Sequence, residues 1–324
     1  MFNIRFIFFI ISTSLLLSAE SFDVKHIPIQ DGGRIKPLDT FARNQLLSIY
    51  GKRAFKSENV NATDWLLQLL SDPKSGFNKK VFNLANPQVV QSLGLEWNNK
   101  HKYSYHEILS GFENQNEYLK RIYDLEESNL STVESQIKNL HINFQKFANM
   151  WWYLKIIPPS SLNPNDPWIS PWEVESESKL TEKQRLLLFS FLDYLNGMIE
   201  NNDNQMKLAI KNYNLHLEGD FNHLVDKTRL KVETLYNEIN IFYVSLAFYI
   251  LSFILLLLSW MWNNRLLSKI SYFSLIFGLS LHGIGLLLRM YIMQRPPVST
   301  LYESIIFVSF ISTLCAVILE LFRK

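Results

Sequence analysis

The stretch LHGIGLLLRMYIMQRPPVSTLYES, Leu281 to Ser304, decides how this chain is read. It begins as an apolar helix of the kind that crosses a bilayer. It also carries a histidine inside the apolar run, two arginines and two prolines at its end, and a glutamate where the next apolar run opens. Ionisable groups at membrane depth are costly, roughly 2.5–3.5 kcal/mol each even on insertion scales, so they are by default candidates for function.

Working outward, three runs meet the requirement of ~20 apolar residues for a ~30 Å hydrocarbon layer. They lie at about 241–262, 270–290 and 298–319. Up to Leu288 the first two hold no acidic or basic side chain except His282. Arg265 and Lys269 fall between the first two spans, and Arg323 and Lys324 follow the third, so the positive-inside rule puts these faces in the cytoplasm. At the other end of the chain, MFNIRFIFFIISTSLLLSAES has a basic residue, an apolar and small-residue run from Phe6 to Ser18, and Ala19 before Glu20. That reads as a signal peptide or signal anchor over residues 1–19, with Leu17 standing where a small residue is preferred for cleavage. Both readings export residues 20–238, and the expected location is a bacterial inner (cytoplasmic) membrane with that segment in the periplasm.

The overall mean hydropathy of -0.01 thus averages two unlike pieces. A net charge of +2 gives no basis for binding nucleic acid. One cysteine, Cys315, excludes an intrachain disulfide, a CxxC redox pair and a CxxCH haem-attachment site, so the chain is not itself a c-type cytochrome.

The expected fold class is all-α: an exported helical domain over 20–238, then a membrane domain over 239–324. Asn86 and Pro87 open a short helix that Gly94 closes, and Ser104 with Glu107 and Ser131 with Glu134 match the S-x-x-E capping box. From Thr132 to Leu154, apolar residues recur every three to four positions (Val133, Ile137, Leu140, Phe144, Phe147, Trp151). Further helices are expected from Thr181 to Glu200, Gln205 to Leu217 and Leu224 to Glu238, the last running straight into the membrane. Proline and asparagine make Ile157 to Ser176 a loop.

On the second span, Gly278, His282, Gly285 and Arg289 are spaced four, three and four apart and share one helical stripe. Glycines beside the imidazole would let a flat, bulky group approach, and Arg289 lies ~10 Å further along at 1.5 Å per residue. Arg289 and Arg295 both sit at the end where basic residues are not expected. A ligand with a metal at one point and anionic groups several ångströms away suits this set, and haem is such a ligand: imidazole binds haem iron and arginine pairs with carboxylates. Against this, glycines at four-residue spacing also let membrane helices pack, arginine can snorkel, and a histidine can bond to a neighbouring helix. Pattern alone leaves both readings open.

The segment RPPVSTLYES, Arg295 to Ser304, following L-H-G-x-G-L-x-L-R, resembles the start of the CcsA membrane module of System II cytochrome c biogenesis. In that family a histidine-bearing helix ending in arginine precedes an outer loop of the form R-x-P-x-S/T-N-x-Y-E-S, and Thr300 here stands at the asparagine. A second match, IPIQDGGRIKPLDTFAR at Ile27 to Arg43, resembles the region after the signal in CcsB/CcsA-type relatives with a large exported domain. The resemblance covers the exported domain and about the first two helices of the CcsA module. The family's tryptophan-rich WWD segment does not occur in residues 1–324, which implies a downstream or partner module.

The resemblance implies haem handling or delivery at the outer membrane face, where apocytochrome c CxxCH thiols add to the haem, as part of a cytochrome c synthase (haem lyase) complex. It makes His282 a candidate ligand of the haem iron and Arg289, Arg295, Tyr302 and Glu303 candidates for the outer mouth. Implied partners are apocytochrome c and another System II biogenesis membrane protein, within the lipid bilayer. The competing expectation is a non-catalytic membrane scaffold whose exported domain binds apocytochrome or an assembly partner. His26, His101, His106, His141, His216 and His223 lack the spacing of a shared metal site and read as structural or solvent-exposed. In Ile27 to Arg43 the double glycine permits a tight turn, and Asp39 or Thr40 can cap the following helix.

Overall fold

The computed structural model describes residues 22–55, 60–161, 163, 166–174 and 180–323. The signal segment 1–19 and parts of the 157–176 loop lie outside them. The chain divides into two compact units, Met1–Asp226 and Lys227–Lys324. The fold is predominantly helical, and the strands described form three short two-stranded antiparallel sheets.

In the first unit, strands β1 (Pro28–Asp31) and β2 (Arg34–Pro37) pair antiparallel with Asp31 opposite Arg34. The two-residue connection needs positive φ at both positions, which Gly32 (φ 60°) and Gly33 (φ 77°) supply without steric cost. Helix α1 (Leu38–Tyr50) follows directly, with Pro37 rather than Asp39 or Thr40 at its N-cap. The Asp39 side chain, expected to cap, is instead buried. It accepts both oxygens' bonds from Arg43 Nε, at 2.9 and 2.8 Å, and one from the Thr63 hydroxyl at 3.3 Å. A buried carboxylate needs such partners, so Asp39 ties α1 to α2 (Ala62–Ser71). Gly51, left-handed at φ 77°, closes α1.

Asn86 caps the Pro87–Ser92 helix, and both S-x-x-E boxes form at the starts of α3 (Tyr105–Asn114) and α4 (Thr132–Ala148). The periodicity read through to Leu154 is interrupted at Asn149, whose φ of -112° and ψ of 38° leave the helical region, and one short turn, Met150–Tyr153, resumes beyond it. Ile137, Phe144 and Phe147 carry the buried face of α4. Around them Trp65, Phe77, Phe82 and Tyr105 form an aromatic core, with Tyr105 stacked on Phe144 at 4.6 Å and on Phe77 at 4.4 Å. Such pairs add about 0.5–1.5 kcal/mol each beyond their buried area. Trp168, from the irregular segment, is also in the core, whereas Trp172 is exposed. Helices α5 (Glu182–Ile199) and α6 (Asp203–Asp220) form an antiparallel hairpin, packed closely where Met206 lies against Gly197.

The second unit comprises α7 (Lys227–Ile239), α8 (Ile241–Met261), α9 (Arg265–Met293) and α10 (Leu301–Arg323). Among the described residues, three helical stretches are long and apolar enough to cross a membrane: Lys227–Met261, Arg265–Met293 and Leu301–Phe322. The passage from α7 to α8 is not one uninterrupted helix, because Asn240 adopts the left-handed conformation between them. Helix α9 runs past both ends of the 270–290 apolar window and carries Arg265, Lys269 and Arg289 on its terminal turns.

What joins α8 to α9 is a seam of small residues. Ser245, Ser252 and Ser259 recur every seven positions on α8 and are all buried; Ser271, Gly278 and Gly285 do the same on α9. A seven-residue period keeps one face toward a partner helix, and small side chains let backbones approach. The serines use that approach to bond across it. Ser245 Oγ donates to the Gly278 carbonyl at 2.8 Å, Ser274 Oγ to the Phe248 carbonyl at 2.9 Å, and Ser252 and Ser271 donate to each other's carbonyls at 2.9 and 2.7 Å. Interhelical bonds of this kind average only about 0.6 kcal/mol each in membranes. Closeness therefore matters more than any single bond. Ser252→Ala is expected to cost about that amount, whereas Ser252→Leu should cost about 1–3 kcal/mol through overpacking. Unfolding of the full chain in mixed micelles measures both, and a neutral leucine variant would contradict the close seam.

Candidate functional site

His282 lies on the seam side of α9, between the notches at Gly278 and Gly285, and is 6% exposed. Its Nδ1 is 3.2 Å from the Tyr249 hydroxyl on α8, with the donor set by the imidazole tautomer. Its Nε2 is buried and makes no hydrogen bond of good geometry, although the Ile306 backbone of α10 interacts with the ring. Three aromatic rings surround the imidazole. Phe242 and Phe310 meet it edge-on at 5.6 and 5.5 Å, and Tyr249 lies tilted at 6.0 Å.

The same rings occupy the glycine notches. A Cβ on Gly278 would come within 3.0 Å of the Tyr249 ring, one on Gly285 within 2.8 Å of the Phe242 ring, and one on Gly283 within 3.2 Å of the Phe310 ring. Flat groups do lie against the glycine face beside His282, and in this structure they belong to the chain itself.

At the far end of the stripe, Glu303 is 1% exposed. Its Oε1 accepts from Arg289 Nε at 3.0 Å and Nη2 at 2.8 Å, and from Arg295 Nη2 at 3.2 Å. Its Oε2 is buried and makes no hydrogen bond. The three groups leave one net positive charge. Arg289 also lies over the ring of the exposed Tyr302, 5.5 Å from its centroid. Thr300, at the asparagine position of the resemblance, accepts the Glu303 backbone N–H on its hydroxyl at 3.3 Å. Asparagine and threonine both serve at helix starts through a side-chain oxygen.

Arg289, Arg295, Tyr302 and Glu303 therefore come together at one end of α9 and α10, while His282, Gly278 and Gly285 form a second group deeper along the stripe. Sequence reading did not single out Tyr249, Phe242 or Phe310. The seven-residue serine repeat was the signal that would have set α8 against this face. Among the described residues no three His, Cys, Asp or Glu side chains converge as a metal site.

The fit to haem divides into donors and space. A buried Nε2 that faces only the Ile306 backbone, with Nδ1 against a hydroxyl, is an arrangement in which a histidine ligand is oriented by its other nitrogen, and two guanidiniums can receive carboxylates. The donor set therefore fits. The space beside the ring is filled by Phe242, Tyr249 and Phe310 with α10 as it stands. Helix α10 is also the least embedded span, with 6% of its apolar window buried against 39% for α9.

No family model matches the sequence. The chain is 25% identical over 309 residues to Protein NrfI of Wolinella succinogenes, a match covering 88% of this chain and 32% of that protein.

Removing the Glu303 carboxylate leaves Arg289 without its charged partner, and a hydrogen bond to a charged group is worth about 1.5–3 kcal/mol. Arg295 is more exposed and more distant, so solvent screens its share. Double-mutant cycles on the unfolding midpoint should give a larger coupling for Arg289→Gln with Glu303→Gln than for Arg295→Gln with Glu303→Gln. Equal couplings would contradict the geometry.

Proposed function

We propose that this chain acts in cytochrome c biogenesis, holding haem between the second and third membrane helices for covalent attachment to apocytochrome c CxxCH motifs. The observation that carries the reading is the His282 imidazole. Its Nδ1 is 3.2 Å from the Tyr249 hydroxyl, and its buried Nε2 faces the Ile306 backbone of α10, a contact that is released if α10 moves aside. The 25% identity to Protein NrfI across most of the chain supports membership in a cytochrome c biogenesis family. So do the two quoted segments, Ile27 to Arg43 and Arg295 to Ser304.

In this reading His282 would hold the iron, and Arg289 and Arg295 would receive the propionates in exchange for Glu303. Gly278 and Gly285 act indirectly, letting α8 approach closely enough to set Tyr249 and Phe242 beside the imidazole, and Tyr302 lies at the outer edge. Haem when bound supplies the vinyl groups that the thiols attack. The chain's own residues orient the imidazole through Tyr249, offer two guanidiniums to the carboxylates and exclude water through Phe242. Helix α10 has to yield to admit so large a group, and its main polar tie is the Glu303 cluster. Residues 20–238 lie in the periplasm of a bacterial inner membrane, facing apocytochrome c and a further System II protein that contributes the WWD segment.

A second reading has its own support. With the glycine notches filled by the protein's own rings, the helices can serve as an anchor and the exported domain as a scaffold for apocytochrome or an assembly partner. Visible absorption spectra of the detergent-purified chain, wild type beside His282→Ala and with or without a WWD-containing partner, separate the two. The haem reading expects a Soret band in wild type, alone or with the partner, that His282→Ala removes. No band in either preparation would favour the scaffold.

A further inference from the structure

The stripe by which α10 meets its neighbours runs Glu303, Ile306, Phe310, Thr313 and Val317 at spacings of three and four, and its next member is Glu320. At the Glu303 end the carboxylate meets arginines directly. At the Glu320 end a cleft of about 1060 Å³ separates it from Arg265 and Lys269 of α9. That volume is at the upper limit of ordinary ligand sites, about 300–1,000 Å³. Trp260 and Leu256 of α8 and Phe273 of α9 supply an apolar wall.

Arg265 and Lys269 are four apart on α9, so their side chains share a face. Among the described residues neither they nor Glu320 has an ion-pair partner. The cleft thus presents two cations and one carboxylate, above an apolar wall that leads toward the bilayer interior. Trp260 is 72% exposed, as suits a ring at the membrane–water boundary.

We propose that this cleft holds a phospholipid whose headgroup carries both a phosphate and a primary ammonium, phosphatidylethanolamine being the simplest. The phosphate lies on Arg265 and Lys269, the ammonium on Glu320, and one acyl chain along Leu256 and Phe273. Charge decides among headgroups. A purely anionic lipid satisfies the two cations and leaves Glu320 unpaired, and a quaternary ammonium has no N–H to donate to it. Basic pockets between membrane helices on the cytoplasmic side take anionic lipid headgroups. The added carboxylate is what selects a zwitterion here. The inference rests on the helices crossing a bilayer and is independent of haem binding.

Native mass spectrometry of the full chain, titrated in detergent with phosphatidylethanolamine, phosphatidylglycerol and phosphatidylcholine of identical acyl chains, tests it. Wild type should retain phosphatidylethanolamine best. The double variant Arg265→Gln/Lys269→Gln should weaken retention about thirtyfold, from about fivefold for each basic residue at a membrane surface. Glu320→Gln should abolish the preference over phosphatidylglycerol while leaving phosphatidylglycerol binding intact. Equal retention of all three lipids, or retention unaffected by the charge substitutions, would mean unselective solvation of the helix ends and would overturn the proposal.

Discussion

The membrane unit depends on how closely α8 and α9 approach. Serine and glycine at seven-residue intervals remove side-chain bulk from the contact, and the hydroxyls bond to carbonyls that larger residues would keep apart. The approach brings Tyr249 and Phe242 onto the stripe that carries His282. It also holds α9 as the one well-embedded span, against which α10 rests more lightly. In lipid, where apolar burial gives no preference for protein over solvent, packing distance and polar ties do the work that a hydrophobic core does in water.

Those polar ties are unevenly distributed along α10. At one end Glu303 accepts three donor contacts from two arginines through a single oxygen. At the other end Glu320 and the basic residues of α9 line a cleft. The same helical stripe is therefore locked at one end and open at the other. The two proposed ligands follow this difference: carboxylates that compete with Glu303, and a zwitterion that bridges charges left apart.

Much of this was legible in the sequence because it follows from local rules. The Gly32–Gly33 turn, the Ser104 and Ser131 capping boxes and the apolar spans each need only a few neighbouring residues to specify them. The departures are tertiary. Asp39 has the side chain of a cap, yet Arg43 and Thr63 stabilise it better inside the domain. The helix expected to continue through Asn149 breaks there, and Asn240 interrupts the passage into α8. At the candidate site the stripe from Gly278 to Arg289 was readable from spacing alone. That Tyr249, Phe242 and Phe310 would fill its glycine notches was not, because those rings come from two other helices. Arg289, Arg295 and Glu303 were grouped at the outer mouth, but that one Glu303 oxygen would pair with both arginines was not readable, because α10 has to bring it there.

Iron held by Nε2 of His282 is the core of the haem proposal. Nitrogen-15 hyperfine coupling, measured on the ferric haem-loaded full chain grown with labelled histidine, tests it at the atom concerned. A histidine nitrogen coupled to the iron is expected in wild type and absent in His282→Ala. An unchanged coupling in the variant would contradict it, since the ligand would then be another histidine and His282 a packing residue of the α8–α9 seam.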